Sequence, residues 1–152
     1  MNKYSADKLF KIAYDHLQKK NFGKSATLFE KLINDYPENL SLLRNLTHCY
    51  IHLGEFEKAE TSIKKVISIK PDEPFVYQTL ASILKDQDKL EEATFIINQG
   101  LKEKLINEKW EIQKNFFFPK IPLNKDEIKN YRQKIEEEIG KILNISFKTK
   151  LD

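Results

Sequence analysis

Two histidines four residues apart, in the stretch His48-Cys-Tyr-Ile-His52, are the one metal-like signal in this sequence. At that spacing both rings share a helix face and could grip a divalent ion. A metal site also wants a third ligand and a hydrogen-bonded shell behind it, so the pair alone is not enough. Cys49 stands where a zinc protease of the HExxH type carries its glutamate. On the packing side of its helix it reads as a small buried hydrophobe. The histidines are therefore expected to be solvated, with no metal bound. No nucleophile motif, Gly-rich phosphate loop or convincing carboxylate pair is present, and the four glycines, 23, 54, 100 and 140, are scattered. Glu136-Glu137-Glu138 reads as an exposed helical face. The chain is expected to be neither an enzyme nor a cofactor carrier.

What positions these residues is a motif that returns every 34 residues. Phe22-Gly-Lys-Ser25…Phe29…Pro37 recurs as Phe56-Glu-Lys-Ala59…Ile63…Pro71 and as Leu90-Glu-Glu-Ala93…Ile97…Leu105. A step of that length predicts stacked helical hairpins, each unable to bury its apolar face alone. Small residues hold the columns Ala13/Thr47/Ala81 and Ser25/Ala59/Ala93, where the two helices of a hairpin must approach closely. Large apolar residues hold Leu9/Leu43/Tyr77, Ile12/Leu46/Leu80 and Phe29/Ile63/Ile97, at the spacings of a core stripe. Helices are predicted over 6–19, 23–35, 40–53, 57–69, 74–86 and 90–104. Asn39 is placed as an N-cap, Pro37 and Pro71 as stops, and Gly54 as a left-handed C-cap. Leu105 replaces the third closing proline, so the last repeat helix is expected to run on to about Lys114.

The chain resembles the tetratricopeptide repeat family over residues 6–107. It keeps that family's small slots at Ser25, Ala59 and Ala93 and its prolines at 37 and 71. It departs at the usual glycine slot, held by Ala13, Thr47 and Ala81. The resemblance implies an all-α solenoid of three repeats whose first helices line a concave, partner-binding surface. Carried over slot by slot, it implies a groove of Phe10, Tyr14, Leu17, Arg44, Asn45, His48, Ile51, His52, Phe75, Gln78, Thr79 and Ser82. Aromatic residues and an arginine are the types that dominate binding energy. The Lys, Asn and Arg set that clamps a C-terminal carboxylate is missing, because those slots hold Phe10, Tyr14, His48, Phe75 and Thr79. The implied function is a non-catalytic scaffold for a protein or peptide partner.

Beyond the repeats, residues 115–125 form a Phe- and Pro-rich connector. Phe116, Phe117 and Phe118 are expected to cover the flank of the last hairpin, with a homodimer interface as the alternative. Asn124-Lys-Asp-Glu127 has the form of a capping box. The helix it starts, about 126–143, carries Ile128, Tyr131, Ile135, Ile139 and Ile142 on one stripe and is expected to act as a C-terminal capping helix over the stack. The tail from Ser146 is expected to fray. The organisation is thus repeats over 1–114 (about 6–39, 40–73 and 74–107), connector over 115–125, and cap with tail over 126–152. The stretch Phe118-Pro-Lys-Ile-Pro-Leu with Tyr131 and Arg132 also resembles the region after the repeats in bacterial SPINDLY-like O-linked N-acetylglucosamine transferases. That implies, as the alternative function, an accessory or shortened module of a peptide O-glycosyltransferase system.

Composition narrows the partners. Of 152 residues 40% are hydrophobic and 32% charged, as suits a solenoid that exposes more surface than a sphere. The net charge of +3 is spread evenly, so nucleic acid and anionic membrane are poor partners. A single cysteine allows no intrachain disulfide and suits a reducing compartment. The start, MNKYSADKLFK, lacks the apolar core of a signal peptide, and no apolar run approaches the roughly 20 residues that span a bilayer. The expected state is a cytoplasmic monomer.

Overall fold

The computed structural model describes residues 3–106, 109–115, 117 and 124–148. Among them the chain forms eight helices: α1 (Lys3–Gln18), α2 (Phe22–Asp35), α3 (Leu40–Leu53), α4 (Phe56–Ile69), α5 (Pro74–Asp86), α6 (Leu90–Lys102), α7 (Lys109–Lys114) and α8 (Lys125–Lys148). Local chemistry sets most of the boundaries. The Asn39 side chain accepts a hydrogen bond from the Leu42 N–H at 3.1 Å and starts α3. Pro74 opens α5, where its missing N–H costs nothing. α2 and α4 each end two residues before a proline, Pro37 and Pro71.

The turn inside each hairpin is the same object three times. Lys20, Gly54 and Asp88, at the 34-residue step, take left-handed φ values of 58°, 73° and 64°. The next N–H then reaches back to the last turn of the helix: Asn21 to the His16 carbonyl, Glu55 to Tyr50 and Lys89 to Leu84, each at 2.9 Å. This double-bonded C-terminal closure satisfies carbonyls that would otherwise be orphaned. Only the middle turn has the glycine that adopts this conformation without steric cost.

The helices pack in chain order, α1 on α2, α2 on α3, and so on to α7, which is the signature of a solenoid. The predicted small columns are where pairs close up: Ala13, Ala81, Ser25, Ala59 and Ala93 are fully buried, and Thr47 nearly so. The polar members are satisfied. Ser25 Oγ donates to the Ala13 carbonyl across the first hairpin at 2.9 Å, and Thr47 Oγ1 donates to the Leu43 carbonyl at 2.8 Å. Phe29, Ile63 and Ile97 are buried along the stack, and Cys49 is buried among them, its thiol pushed up by burial. The Ile12 column breaks ranks: Leu46 and Leu80 are buried, but Ile12 is 42% exposed, because no described hairpin packs outside α1.

One expectation about the far end is corrected. The last repeat helix does not run on to Lys114. It stops at Lys102, Lys104 turns left-handed, and the Leu105 N–H returns to the Gly100 carbonyl at 2.8 Å. Ile106 folds back onto Gly100, where an added Cβ would lie 3.1 Å from its side chain. In the other repeats this slot holds Leu32 and Val66; here Ile106 supplies the missing volume. Residues nearer the repeats close the end of the stack. Trp110 and Phe117 pack with Ile106 against the core, and Lys85 Nζ lies 5.9 Å from the Phe117 ring centroid. These residues, with α7 on α6, close the stack. α8, longer than expected at both ends, starts as foreseen with the Asn124 side chain accepting from the Glu127 N–H at 2.9 Å. Along its stripe Ile128, Ile139 and Leu143 are exposed while Tyr131, Ile135 and Ile142 are half-buried. Phe116, Phe118 to Leu123, and the tail beyond residue 148 lie outside the described residues.

One half-buried carboxylate ties consecutive repeats. Glu60 on α4 accepts from Lys64 at 2.5 Å, from Gln87 at 2.8 Å and from Lys89 at 2.9 Å, the last two from the turn after α5. Burial alone would raise its pKa, but the three hydrogen bonds prevail and hold it at about 2.

Two stability predictions follow from these contacts. No heavy atom lies within 4 Å of a Cβ built on Gly54, so Gly54→Ala tests conformation alone and should cost about 1 kcal/mol. Lys20→Gly, at the equivalent turn, should instead raise stability by a few tenths to about 1 kcal/mol. Thermal melts showing the same sign for both would contradict the shared-turn geometry. Because the folded pKa of Glu60 is depressed, its contribution is present above the unfolded value of 4.5 and lost as pH falls toward 2. Urea melts of wild type and Glu60→Gln should therefore differ above pH 5 and converge in acid; a constant gap would contradict this.

Candidate functional site

The first helices of the hairpins, α1, α3 and α5, carry the residues expected to form a groove. Five of them, Tyr14, Leu17, Asn45, His48 and His52, meet around one open hollow of about 440 Å³ between α1 and α3. Gln18, Lys20 and Phe22 complete its lining. Leu17 is buried and belongs to the core, so it can offer only an edge. Tyr14 is 45% exposed and stacks on Phe10, with ring centroids 6.3 Å apart and planes 8° from parallel. Phe10 in turn sets its edge on buried Phe29 at 5.6 Å, which fixes the pair to the core.

Phe22 is the member that sequence reasoning missed. Its place in the column Phe22/Phe56/Leu90 marked it as packing. In the fold it lies flat on His52, centroids 4.2 Å apart and planes 7° from parallel, and meets His48 edge-on at 5.9 Å. His48 and His52 themselves contact edge to face at 4.5 Å. The signal was available in the columns: the slots that hold His48 and His52 hold Ser82 and Asp86 one repeat later, so only the first interface can build a three-ring cluster. Burial pushes the His48 imidazole below the usual histidine range, and the charge of His52 pushes it further. Near neutral pH His48 is thus an uncharged ring able both to donate and to accept. Among the described residues, no three His, Cys, Asp or Glu side chains gather to hold a metal ion.

The other expected groove residues do not share this hollow. Phe10 lines a smaller one of about 190 Å³ with Ala6, Asp7, Leu32, Tyr36, Asn39 and Leu42. Arg44 pairs with Glu73, the residue that precedes α5, and so holds the second repeat to the third. An arginine committed in that way is a structural strut before it is a binding anchor. Ile51 is half-buried and packs on the core. Phe75 is exposed on α5, while Gln78, Thr79 and Ser82 are half-buried; Thr79 Oγ1 donates to the Phe75 carbonyl at 2.9 Å. No described helix is long and apolar enough to cross a membrane.

Known proteins place this architecture. A family model described as tetratricopeptide repeat matches residues 16–83. No curated protein matches the sequence. Among solved structures, the first repeat domain of Spaghetti (RPAP3) bound to the HSP90 peptide SRMEEVD is similar at 16% identity and a TM-score of 0.59, covering 90% of this chain and 95% of that one. MamA from Desulfovibrio magneticus RS-1 is similar at 13% identity and a TM-score of 0.67, covering 91% and 76%. An O-GlcNAc transferase from Thermobaculum terrenum is similar at 14% identity and a TM-score of 0.59, covering 76% of this chain but 22% of that one. Identities this low establish the fold and nothing finer. With the family match over residues 16–83 and three hairpins stacked at a 34-residue step, the chain has the α-solenoid fold of tetratricopeptide repeat proteins.

Proposed function

We propose that this chain is a non-catalytic protein-interaction module that holds a partner's extended segment or short helix along α1, α3 and α5. The observation that carries the reading is the hollow between α1 and α3. Aromatic rings from Tyr14, Phe22, His48 and His52 line it beside the amides of Gln18 and Asn45. Rings supply apolar contact area at small entropic cost, and amides satisfy the donors and acceptors of a partner's backbone. A large apolar or aromatic side chain is the anchor this lining suits. The Spaghetti domain, similar in fold, holds a peptide. The lysines and asparagines of a carboxylate clamp are absent from the matching slots here, so the partner's segment is read as internal rather than C-terminal. Phe75 extends the same face along α5.

The glycosyltransferase alternative gains no separate observation. Of the residues that carried it, Phe118 to Leu123 lie outside the described residues, Tyr131 and Arg132 fall on α8, and the transferase likeness is one of fold.

Tyr14 and His48 are the residues to replace, since both are exposed and neither holds the stack; Arg44 is not, since its pairing with Glu73 would confound the result. Tyr14→Ala with His48→Ala should weaken a partner captured by the wild-type chain about 100-fold or more, with the melting temperature within a few degrees of wild type. Phe95→Ala, which removes an exposed ring from α6, serves as the control and should leave capture intact. Titration calorimetry against the captured partner distinguishes the faces: unchanged affinity in the double variant, or loss on Phe95→Ala, would refute the groove.

A further inference from the structure

The polar side chains around the hollow between α1 and α3 are all of one kind. They are the Lys20 ammonium, the imidazoles of His48 and His52, the amides of Gln18 and Asn45, and the Tyr14 phenol; among the described residues no carboxylate joins them. Each of these groups can donate a hydrogen bond. The carboxylates nearest in sequence are engaged elsewhere: Asp15 pairs with Lys19 and Glu55 with Lys58, and neither lines the hollow. Along the rest of the concave face the charges balance, with Asp7 and Lys11 on α1, Arg44 with its partner Glu73, and Lys85 beside Asp86 on α5. The preference for an anion is therefore local to the hollow.

The two imidazoles stand with ring centroids 4.5 Å apart, and Phe22, flat against His52, fixes that ring in place. A carboxylate has two acceptor oxygens and can take a hydrogen bond from each ring at once. We infer that the hollow receives an aspartate or glutamate side chain of the partner's segment, beside that segment's apolar anchor, an assignment that rests on the groove reading above. The acid recognised is a side chain within the segment, not the chain end that a carboxylate clamp grips. Capture is then coupled to a proton. Free His48 is neutral near neutral pH, because burial and then the charge of His52 hold it below the usual histidine range. A carboxylate bound beside it favours the imidazolium, so the complex takes up a proton. By linkage, affinity rises as pH falls from 8 toward 6, a range over which the ligand's own carboxylate stays ionised. The titratable groups that share the hollow with His48 are His52 on its own helix, Tyr14 on α1 and Lys20 in the turn after α1. From α2 comes Phe22, and among the described residues α4 and α5 add nothing to the lining.

Fluorescence anisotropy of labelled peptides with the full chain tests this. The probes are N-acetylated, C-amidated peptides of one length, each with a single Phe flanked by Glu, by Gln or by Lys. At pH 6 the Glu peptide should bind about tenfold or more tighter than the Gln peptide, and the Lys peptide weakest. The affinity of the Glu peptide should rise about tenfold from pH 8 to pH 6, while that of the Gln peptide changes little. His48→Gln with His52→Gln keeps hydrogen-bonding amides in both slots and should abolish the pH dependence, with a thermal melt to show that the stack is intact. Lys20→Gln, a milder change in the turn, should weaken the Glu peptide by a similar factor of about two to five at every pH and leave the slope in place. Equal binding of the three peptides at every pH would overturn the inference and leave the groove standing, as would a pH slope that survives the double histidine variant. Binding by none of the three would overturn it as well. If Tyr14→Ala fails to weaken the Glu peptide, the groove itself is refuted and the inference with it.

Discussion

The structure rests on one steric constraint: the two helices of each hairpin must approach closely enough that nothing larger than a methyl or hydroxyl fits between them. Ala13, Thr47 and Ala81 from the first helices, and Ser25, Ala59 and Ala93 from the second, meet that demand with almost no exposure. Close approach is what brings Phe29, Ile63 and Ile97 into contact with the neighbouring helices and excludes water from the seam. Enlarging any one slot would open its hairpin, and a linear stack passes that opening on to the next repeat. The polar occupants are tolerated because each finds a backbone carbonyl, Ser25 across the hairpin and Thr47 within its own helix.

A solenoid solves its packing in the middle and faces it again at each end. At the first hairpin Ile12 remains open where its equivalents Leu46 and Leu80 are covered. At the last, Gly100 and Ile106 form a plug: the missing side chain of one residue is replaced by the folded-back side chain of another. Trp110 and Phe117 pack against the core beside that plug.

The local part of this fold was legible in the sequence, and the long-range part was not. Column positions fixed the hairpins, the Asn39 cap and the Gly54 turn, because each depends on residues within a few positions of one another. The left-handed Lys20 and Asp88 could have been read from their register with Gly54, although neither residue type announces it. What escaped were contacts between residues far apart in sequence. Arg44 looked like a free groove cation until Glu73, 29 positions on, claimed it. Phe22 packs on the core as its column implied, but its stacking with the histidines of the next repeat was not foreseen. The stop at Lys102 depended on Ile106 finding Gly100, a pairing that no helix propensity encodes. The groove was thus legible as a face but not as a site; the fold chose which five of its twelve expected residues share a hollow.

That hollow joins the repeat chemistry to the proposed binding. Its walls come from α1, from the start of α2 and from α3, so it exists only where two successive hairpins are docked. Amide hydrogen exchange of the full chain, alone and saturated with its captured partner, tests this most directly. Slowed exchange along the exposed turns of α1 and α3, around Tyr14 and from Asn45 to His52, is the predicted result. Protection confined to α6 or α8, with α1 and α3 unchanged, would contradict it.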